Sequence, residues 1–500
     1  MRYNILIGGP AGTGPNVLTH IFGESLVEKG YYVFYSRDYQ SLIRGGHNFN
    51  MITFSDEPVF SNDSQIDVLV CLDENTEKIH KKNLKKTSMI LNGQHENMFF
   101  AGRLFKIFCI DFKYLEKNLK KLEKRYEENI SEAKEGYEKE KKEVCKILMR
   151  KSGNYFINGN FGISEGAIKS GLDIYYAYPM TPATSVLIEL AQKQMENNFL
   201  VLELENEIAV INAAIGSAIT GAKSMVGTSG GGFDLMTEAL SMIGQAEIPL
   251  VIFLSQRPGP GTGVATYTGQ SDLQMARYSG HGEFTRLLLT PGDPVECEEL
   301  TNQAFYFSQK YKIPAIVLSD KHLGESFYTV GEKAKIVKFE NRQNTKLERY
   351  NSYEKDEFGS ATENAKTIEK NVLRRLKKKK EIEKESAEFE RYKIYGKESK
   401  NLVVSWGSTK GAILDAIKNL DICFLQIKYI EPFPIEIKKI IEGKNLILVE
   451  NSATGMLADI IAGKTGIFIG EKNKILRFDG RPFFGDELKK EIEKKIGGGE

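Results

Sequence analysis

Six short apolar runs between residues 173 and 318 constrain the fold more than any other feature of this chain. They cover residues 173–177, 199–204, 224–227, 249–254, 286–289 and 315–318, with helical patterns between them. Runs of this length alternating with helices describe βαβ units, and so a mainly parallel sheet covered by helices. The segments that follow the first four runs are Tyr178-Pro179-Met180-Thr181-Pro182, Glu205-Asn206-Glu207, Thr228-Ser229-Gly230-Gly231-Gly232 and the Pro/Gly-rich stretch from Gln256-Arg257 to Gly263. In a parallel sheet all four lie at carboxyl ends of strands, the edge at which open α/β sheets bind ligands. They are expected to converge on one crevice.

Each segment has a physical reason to be there. Pro179 and Pro182 stiffen a loop that presents the Thr181 hydroxyl, while Gly230, Gly231 and Gly232 let backbone approach a ligand and offer amides at the start of a helix. Arg257, in a Pro/Gly-rich loop, suits a two-point contact to a carboxylate or phosphate, or else a surface ion pair. Glu207 heads a helix of small residues, Ala209, Ala213, Ala214, Gly216, Ser217 and Ala218. Its carboxylate either faces a flat ligand or answers the helix dipole. The residues alone leave both alternatives open.

The flanks have related patterns. Residues 1–110 carry apolar runs at 4–7, 31–35, 49–54, 66–71, 88–91 and 104–110, read as a second open, mainly parallel sheet. From 111 to 152 the composition turns to Lys and Glu, with Leu115, Leu119, Leu122, Tyr126, Ile130, Ala133 and Tyr137 at helical spacing. This predicts an amphipathic helix, either a connector packed on its own domain or a docking helix for a partner. Residues 331–398, including the basic run 374–380, read as an exposed, partly helical connector. Runs at 402–406, 423–429, 446–450 and 475–478 make a third small α/β unit. The expected fold class is α/β with three open, mainly parallel-sheet domains, divided as 1–152, 153–330, the connector 331–398, and 399–500.

Composition narrows the function classes. Lys+Arg 68 against Asp+Glu 67 leaves a net charge of +1, so no global field recruits nucleic acid or an anionic membrane. No apolar run approaches the ~20 residues needed to cross a bilayer, and Met1-Arg2-Tyr3-Asn4 lacks the layout of a signal peptide, which predicts a cytoplasmic protein. Cys71, Cys109, Cys145, Cys297 and Cys423 are too dispersed for CxxC zinc sites or ferredoxin-type clusters, and the histidines form no HExxH pattern. No metal site is therefore expected on this chain.

Taken in order, Tyr178-Pro179-Met180-Thr181-Pro182-Ala183, Glu205-Asn206-Glu207, Thr228-Ser229-Gly230-Gly231-Gly232-Phe233, Ser255-Gln256-Arg257-Pro258-Gly259 and Gly280-His281-Gly282-Glu283-Phe284 resemble the 2-oxoacid:ferredoxin oxidoreductases. The whole chain resembles their fused gamma-alpha subunit. Gly8-Gly9-Pro10-Ala11-Gly12-Thr13-Gly14 and Ser41-Leu42-Ile43-Arg44-Gly45-Gly46-His47 are similar to the gamma part. Trp406-Gly407-Ser408-Thr409, Pro432-Phe433-Pro434, Val449-Glu450-Asn451 and Asp479-Gly480-Arg481-Pro482 are similar to the second alpha domain, which has a transketolase C-terminal-like fold.

The resemblance implies thiamine diphosphate- and CoA-dependent oxidative decarboxylation of a 2-oxoacid, such as pyruvate or 2-oxoglutarate, to acyl-CoA and CO2, with electrons passing to ferredoxin. It makes the middle domain the pyrimidine-binding half of the cofactor site. Mg²⁺, the diphosphate contacts and a [4Fe-4S] cluster would belong to a separate beta subunit, in a heterodimer or a dimer of heterodimers. By the same resemblance Glu207 hydrogen-bonds the aminopyrimidine ring and favours its imino tautomer. Thr181 and Arg257 hold the substrate carboxylate, and Tyr178, Pro179, Thr228, Ser229 and Gly230 contact the cofactor. The loop 8–14 would serve CoA by this analogy and would otherwise be a tight strand-to-helix turn. Two other classes stand beside this one: a non-redox thiamine-dependent lyase or transferase subunit, and a nonenzymatic nucleotide-binding scaffold.

Overall fold

The computed structural model describes residues 1–40, 46–122, 125–144, 154–340 and 349–497. Residues 41–45 of the gamma-like motif, Cys145 and parts of both charged connectors lie outside the described residues. In chain order the strands are β1 (Arg2–Gly9), β2 (Tyr32–Asp38), β3 (Asn48–Ser55), β4 (Ile66–Cys71), β5 (Leu84–Leu91), β6 (Tyr155–Asn158), β7 (Ile174–Ala177), β8 (Leu200–Glu203), β9 (Ser224–Thr228), β10 (Leu250–Gln256), β11 (Leu287–Leu289), β12 (Pro314–Asp320), β13 (Phe327–Val330), β14 (Tyr392–Tyr395), β15 (Asn401–Trp406), β16 (Cys423–Ile427), β17 (Tyr429–Glu431), β18 (Asn445–Glu450) and β19 (Lys474–Leu476). They form three sheets.

The middle sheet has the order β17-β11-β12-β10-β9-β7-β8 and is parallel throughout except for its edge strand β17. Val251, Phe253, Ala315 and Val317 face one covering layer, formed in part by the helices Gly159–Lys169, Thr184–Asn197 and Pro294–Tyr311. Ile252, Leu254, Ile316 and Leu318 face the other, with the helices Glu207–Ile219 and Gly230–Ala246. Strands buried on both faces read as continuous apolar runs, which is why the sequence marks them clearly. The third sheet, β14-β16-β15-β18-β19, is parallel except for β14.

The first sheet, β5-β4-β1-β3-β2-β13-β6, is mixed. Its β5, β4 and β1 run parallel as expected, whereas β3 pairs antiparallel with both β1 and β2. The link from β2 to β3 is too short for the helical crossover a parallel pair requires. The sheets also cross the divisions drawn at 152, 330 and 398. β6 and β13 complete the first sheet, β17 caps the middle one, and β14, inside the supposed connector, edges the third.

The run 104–110 is not a strand. Most of it lies in the helix Asn97–Ile107, with Phe100, Leu104 and Phe105 fully buried. A short apolar run has the same appearance in a buried helix and a buried strand, and here the helix wins. The amphipathic stretch that follows forms two longer helices, Phe112–Leu119 and Tyr126–Lys139. The second crosses Asn97–Ile107 at glycines: a Cβ on Gly102 would stand 1.9 Å from the Ala133 carbonyl oxygen, and one on Gly136 2.0 Å from that of Phe99. This stretch packs on its own domain.

The basic run 374–380 falls in the helix Ala365–Ser386. It is not simply solvated, because Arg374 and Lys378 pair with Glu247, and Arg375 pairs with Glu354. Among the described residues no helix is long and apolar enough to cross a membrane.

Candidate active site

The four segments do meet at the carboxyl edge of the middle sheet. Arg257 leaves the end of β10 and its Nη1 donates to the carbonyl oxygen of Thr181, at 2.8 Å, in the loop after β7. The guanidinium thus ties two strand ends together through the backbone of Thr181. Its Nε is buried and has no hydrogen-bond partner among the described residues. Tyr178 and Pro179 belong to the same loop as Thr181, and Tyr178 keeps 40% of its surface exposed.

Glu207 is the first residue of the helix Glu207–Ile219, and the cap of that helix is Asn206, whose side chain accepts from the Ala209 amide at 2.9 Å. The carboxylate is therefore not required as a cap. It is 4% exposed, and its Oε1 has no hydrogen-bond partner among the described residues. An unpaired buried carboxylate oxygen is costly and marks a place where a ligand completes the structure.

Gly232 explains how this oxygen can be enclosed without a clash. A Cβ there would sit 2.6 Å from Glu207 Oε1 and 2.2 Å from Thr228 Oγ1. Bare backbone of the Gly230–Ala246 helix thus lies directly against the carboxylate. Thr228 and Ser229 are fully buried, and the Ser229 hydroxyl also lacks a partner among the described residues. The unpaired Glu207 oxygen is an acceptor of the kind an aminopyrimidine ring would need.

One group in the crevice was not found from sequence. Asp272 precedes the helix Leu273–Tyr278, a position that reads as an ordinary cap, yet its side chain makes no cap bond. Instead its Oδ2 is packed where a Cβ on Gly230 would be, 2.6 Å away. Burial pushes the Asp272 carboxyl up to about 6; the Ser271 hydroxyl and Arg257 oppose this, and Asp234 adds to it. Burial lowers the Arg257 guanidinium, while Asp272 and Glu207 counter that effect. Arg257, Glu207 and Asp272 therefore form one electrostatic cluster.

The second alpha-like domain holds the Pro/Gly-rich loop in place. Gln270 Nε2 donates to the Trp406 carbonyl at 2.9 Å, its Oε1 accepts from the Asn451 amide at 2.7 Å, and the Thr268 amide donates to the Gly480 carbonyl at 3.1 Å. Glu450 fixes this support from below, accepting from Trp406 Nε1 at 3.1 Å and from the amides of Met456 and Leu457. At the other end of the chain, the loop 8–14 is a closed turn: Gly14 is the left-handed cap of the helix Pro15–Glu28, and Asn97 Nδ2 donates to its carbonyl.

Comparison with known proteins agrees with this geometry. The family described as pyruvate flavodoxin/ferredoxin oxidoreductase, thiamine diP-bdg, matches residues 165–396, and the family described as pyruvate ferredoxin/flavodoxin oxidoreductase matches residues 4–96. The 2-oxoacid:ferredoxin oxidoreductase subunit alpha of Saccharolobus solfataricus is 30% identical, over 100% of this chain and 99% of that protein. The 2-oxoglutarate synthase subunit KorA of Methanothermobacter marburgensis is 37% identical over 37% of this chain and 50% of that protein. In fold, the chain is similar to a 2-oxoglutarate:ferredoxin oxidoreductase structure from Magnetococcus marinus, with a TM-score of 0.86, 23% identity and 99% of each chain covered. The non-redox and scaffold classes find no support in these relatives. The chain belongs to the alpha subunits of the 2-oxoacid:ferredoxin oxidoreductases.

Proposed function

We propose that this alpha subunit, with a beta subunit, carries out thiamine diphosphate- and CoA-dependent oxidative decarboxylation of a 2-oxoacid, yielding acyl-CoA and CO2 and passing electrons to ferredoxin. The observation that carries this reading is the pair of unsatisfied buried atoms, Glu207 Oε1 and Arg257 Nε, in one crevice at the carboxyl edge of the sheet. One is suited to a protonated ring nitrogen and the other to an anion. The Magnetococcus marinus structure, described with 2-oxoglutarate, coenzyme A and succinyl-CoA bound, supports a 2-oxoacid and CoA as substrates here.

Thiamine diphosphate, when bound, supplies the nucleophilic carbon and the electron sink for decarboxylation. Glu207 holds a proton against the aminopyrimidine ring at Oε1. Thr228, Ser229 and Gly230, with Tyr178 and Pro179, frame that ring. Arg257 has one Nη1 hydrogen committed to the Thr181 carbonyl, so its Nε and Nη2 edge is left for the substrate carboxylate, with Thr181 joined to it through the backbone. A charge-assisted contact of this kind orients the carboxylate until it leaves as CO2.

The other half of the site belongs to the beta subunit, which would bring Mg²⁺, the diphosphate contacts and a [4Fe-4S] cluster. Exposed apolar residues beside the crevice segments, Ile208, Leu235 and Val264, are surface for that partner to cover. Calorimetric titration tests the division of labour. The isolated chain should bind thiamine diphosphate weakly and turn over no 2-oxoacid, whereas the reconstituted complex does both. Tight binding or turnover by the isolated chain overturns the proposal.

A further inference from the structure

We propose that Asn160 is a positioning residue for the substrate anchor: it holds the Thr181–Pro182 backbone against which the Arg257 guanidinium is braced. This role rests on the reading of Arg257 as the carboxylate anchor.

The loop after β7 is fixed at three successive carbonyls. That of Met180 accepts from the Ala183 amide at 2.8 Å, that of Thr181 from Arg257 Nη1 at 2.8 Å, and that of Pro182 from Asn160 Nδ2 at 3.1 Å. The first bond is local to the loop. The other two come from side chains of different elements, one at the end of β10 and one in the helix Gly159–Lys169, so Arg257 and Asn160 grip adjacent residues of one backbone. Peptide units are planar, and a shift of the Pro182 carbonyl is therefore passed to the Thr181 carbonyl beside it.

Asn160 is not spent on its own helix. The cap there is Asn158, whose side chain accepts from the Phe161 amide at 2.8 Å. Asn160 is 1% exposed, and its Nδ2 also reaches Ser185 Oγ in the helix Thr184–Asn197 that follows the loop. One amide thus ties the loop to the helix it leads into. Because a carbonyl only accepts, the amide must present its nitrogen to Pro182. Gly324 sets its position from the other end, since a Cβ there would stand 2.7 Å from Asn160 Oδ1. A Cβ on Gly159 would meet the Leu323 carbonyl oxygen at 2.5 Å, so the start of this helix is pressed against the same segment.

The test is steady-state kinetics of the reconstituted complex with pyruvate or 2-oxoglutarate and a viologen acceptor, the 2-oxoacid and CoA being varied in turn. Asn160→Asp keeps the size and sets a carboxylate against the Pro182 carbonyl, while Asn160→Ala removes the side chain. Both should raise KM for either 2-oxoacid about 5-fold to 30-fold, the scale of one buried hydrogen bond left unmade, with KM for CoA unchanged and kcat lowered by less than KM is raised. A packing role alone would leave Asn160→Asp near wild type and show no such split. Gly324→Ala keeps Asn160 and crowds its amide, which covers the case in which the Asn160 variants fold poorly. It should raise the same KM, and combined with Asn160→Ala it should do no further harm. A wild-type 2-oxoacid KM in Asn160→Asp, an equal rise in KM for CoA, or full additivity of the double variant overturns the proposal. Arg257→Lys separates the two readings. If it lowers kcat/KM while the Asn160 variants keep the wild-type KM, only the role of Asn160 falls. If it leaves kcat/KM unchanged, the anchor reading falls, and this proposal with it.

Discussion

At Glu207 the neighbouring Asn206 takes the capping bond, and the carboxylate is buried with its Oε1 unpaired, which supports the ligand-facing reading without removing the favourable first-turn position. Glu207→Gln keeps the shape and loses the charge, so the reconstituted complex should assemble normally and lose about 10² or more in turnover, the scale of a proton-transfer group. Assembly with near-native activity would remove Glu207 from the site. For Arg257→Lys the planar fork becomes a point charge. A charge-assisted bond is worth about 1.5 to 3 kcal/mol, so kcat/KM should fall roughly 10-fold to 100-fold for every 2-oxoacid, whatever its tail. A surface ion pair would cost under about 1 kcal/mol and leave the kinetics nearly unchanged. That the segments of Thr181, Glu207 and Arg257 converge was legible because each follows a strand of the parallel sheet. Asp272 was not, since an aspartate ahead of an apolar helical pattern looks like a cap whichever way its carboxylate turns.

Adjacent glycines at the start of one helix make the same point for elements. The sequence shows Gly230-Gly231-Gly232 as three equal residues, whereas the packing separates them. A Cβ on Gly231 would come no nearer than 3.8 Å to another atom, the Gly261 carbonyl oxygen, while one on Gly232 would be driven into Thr228 and Glu207. Gly231→Ala should leave the melting temperature of the isolated chain unchanged or raise it slightly, since alanine is the better helix former by up to about 1 kcal/mol. Gly232→Ala should destabilise by about 1 to 3 kcal/mol, the range for forced overpacking, and should depress turnover of the complex further by displacing the Glu207 carboxylate. Equal melts for the two variants would mean that the contact between this helix and Glu207 is loose. The strands of the middle sheet were legible for a related reason, as burial on both faces leaves little room for polar residues. The helix Asn97–Ile107 was misread because its tightly packed apolar residues carry no alternation that distinguishes it from a strand.

For the whole molecule, the least legible feature is how the sheets interlock. Short strands such as β6, β13 and β17 join sheets distant in sequence, and their pairing depends on partners no local pattern names. The first, middle and last domains meet around a cavity of about 440 Å³ lined by residues of all three, including Arg37, His80, Tyr267, Lys321, Arg477 and Arg481. His80 is buried there, with its Nε2 2.9 Å from His47 Nε2 and its ring edge-on to Phe49. Burial, then His47 and Lys82, hold its imidazole down at about 4 against an ordinary 6.5. The folded chain therefore keeps His80 neutral at a pH where the unfolded chain protonates it. Below about 6.5 the unfolded state binds more protons, so stability falls as pH drops, and the loss levels off below about 4. Between pH 7.5 and 5.5 this one group should cost about 1 kcal/mol after allowance for its partial solvation. The same pH step should cost His80→Gln less by that amount, measured as the shift in urea midpoint at constant m-value. An identical pH dependence in wild type and variant would show that His80 is solvated, and that the three domains meet less closely around it than this packing implies.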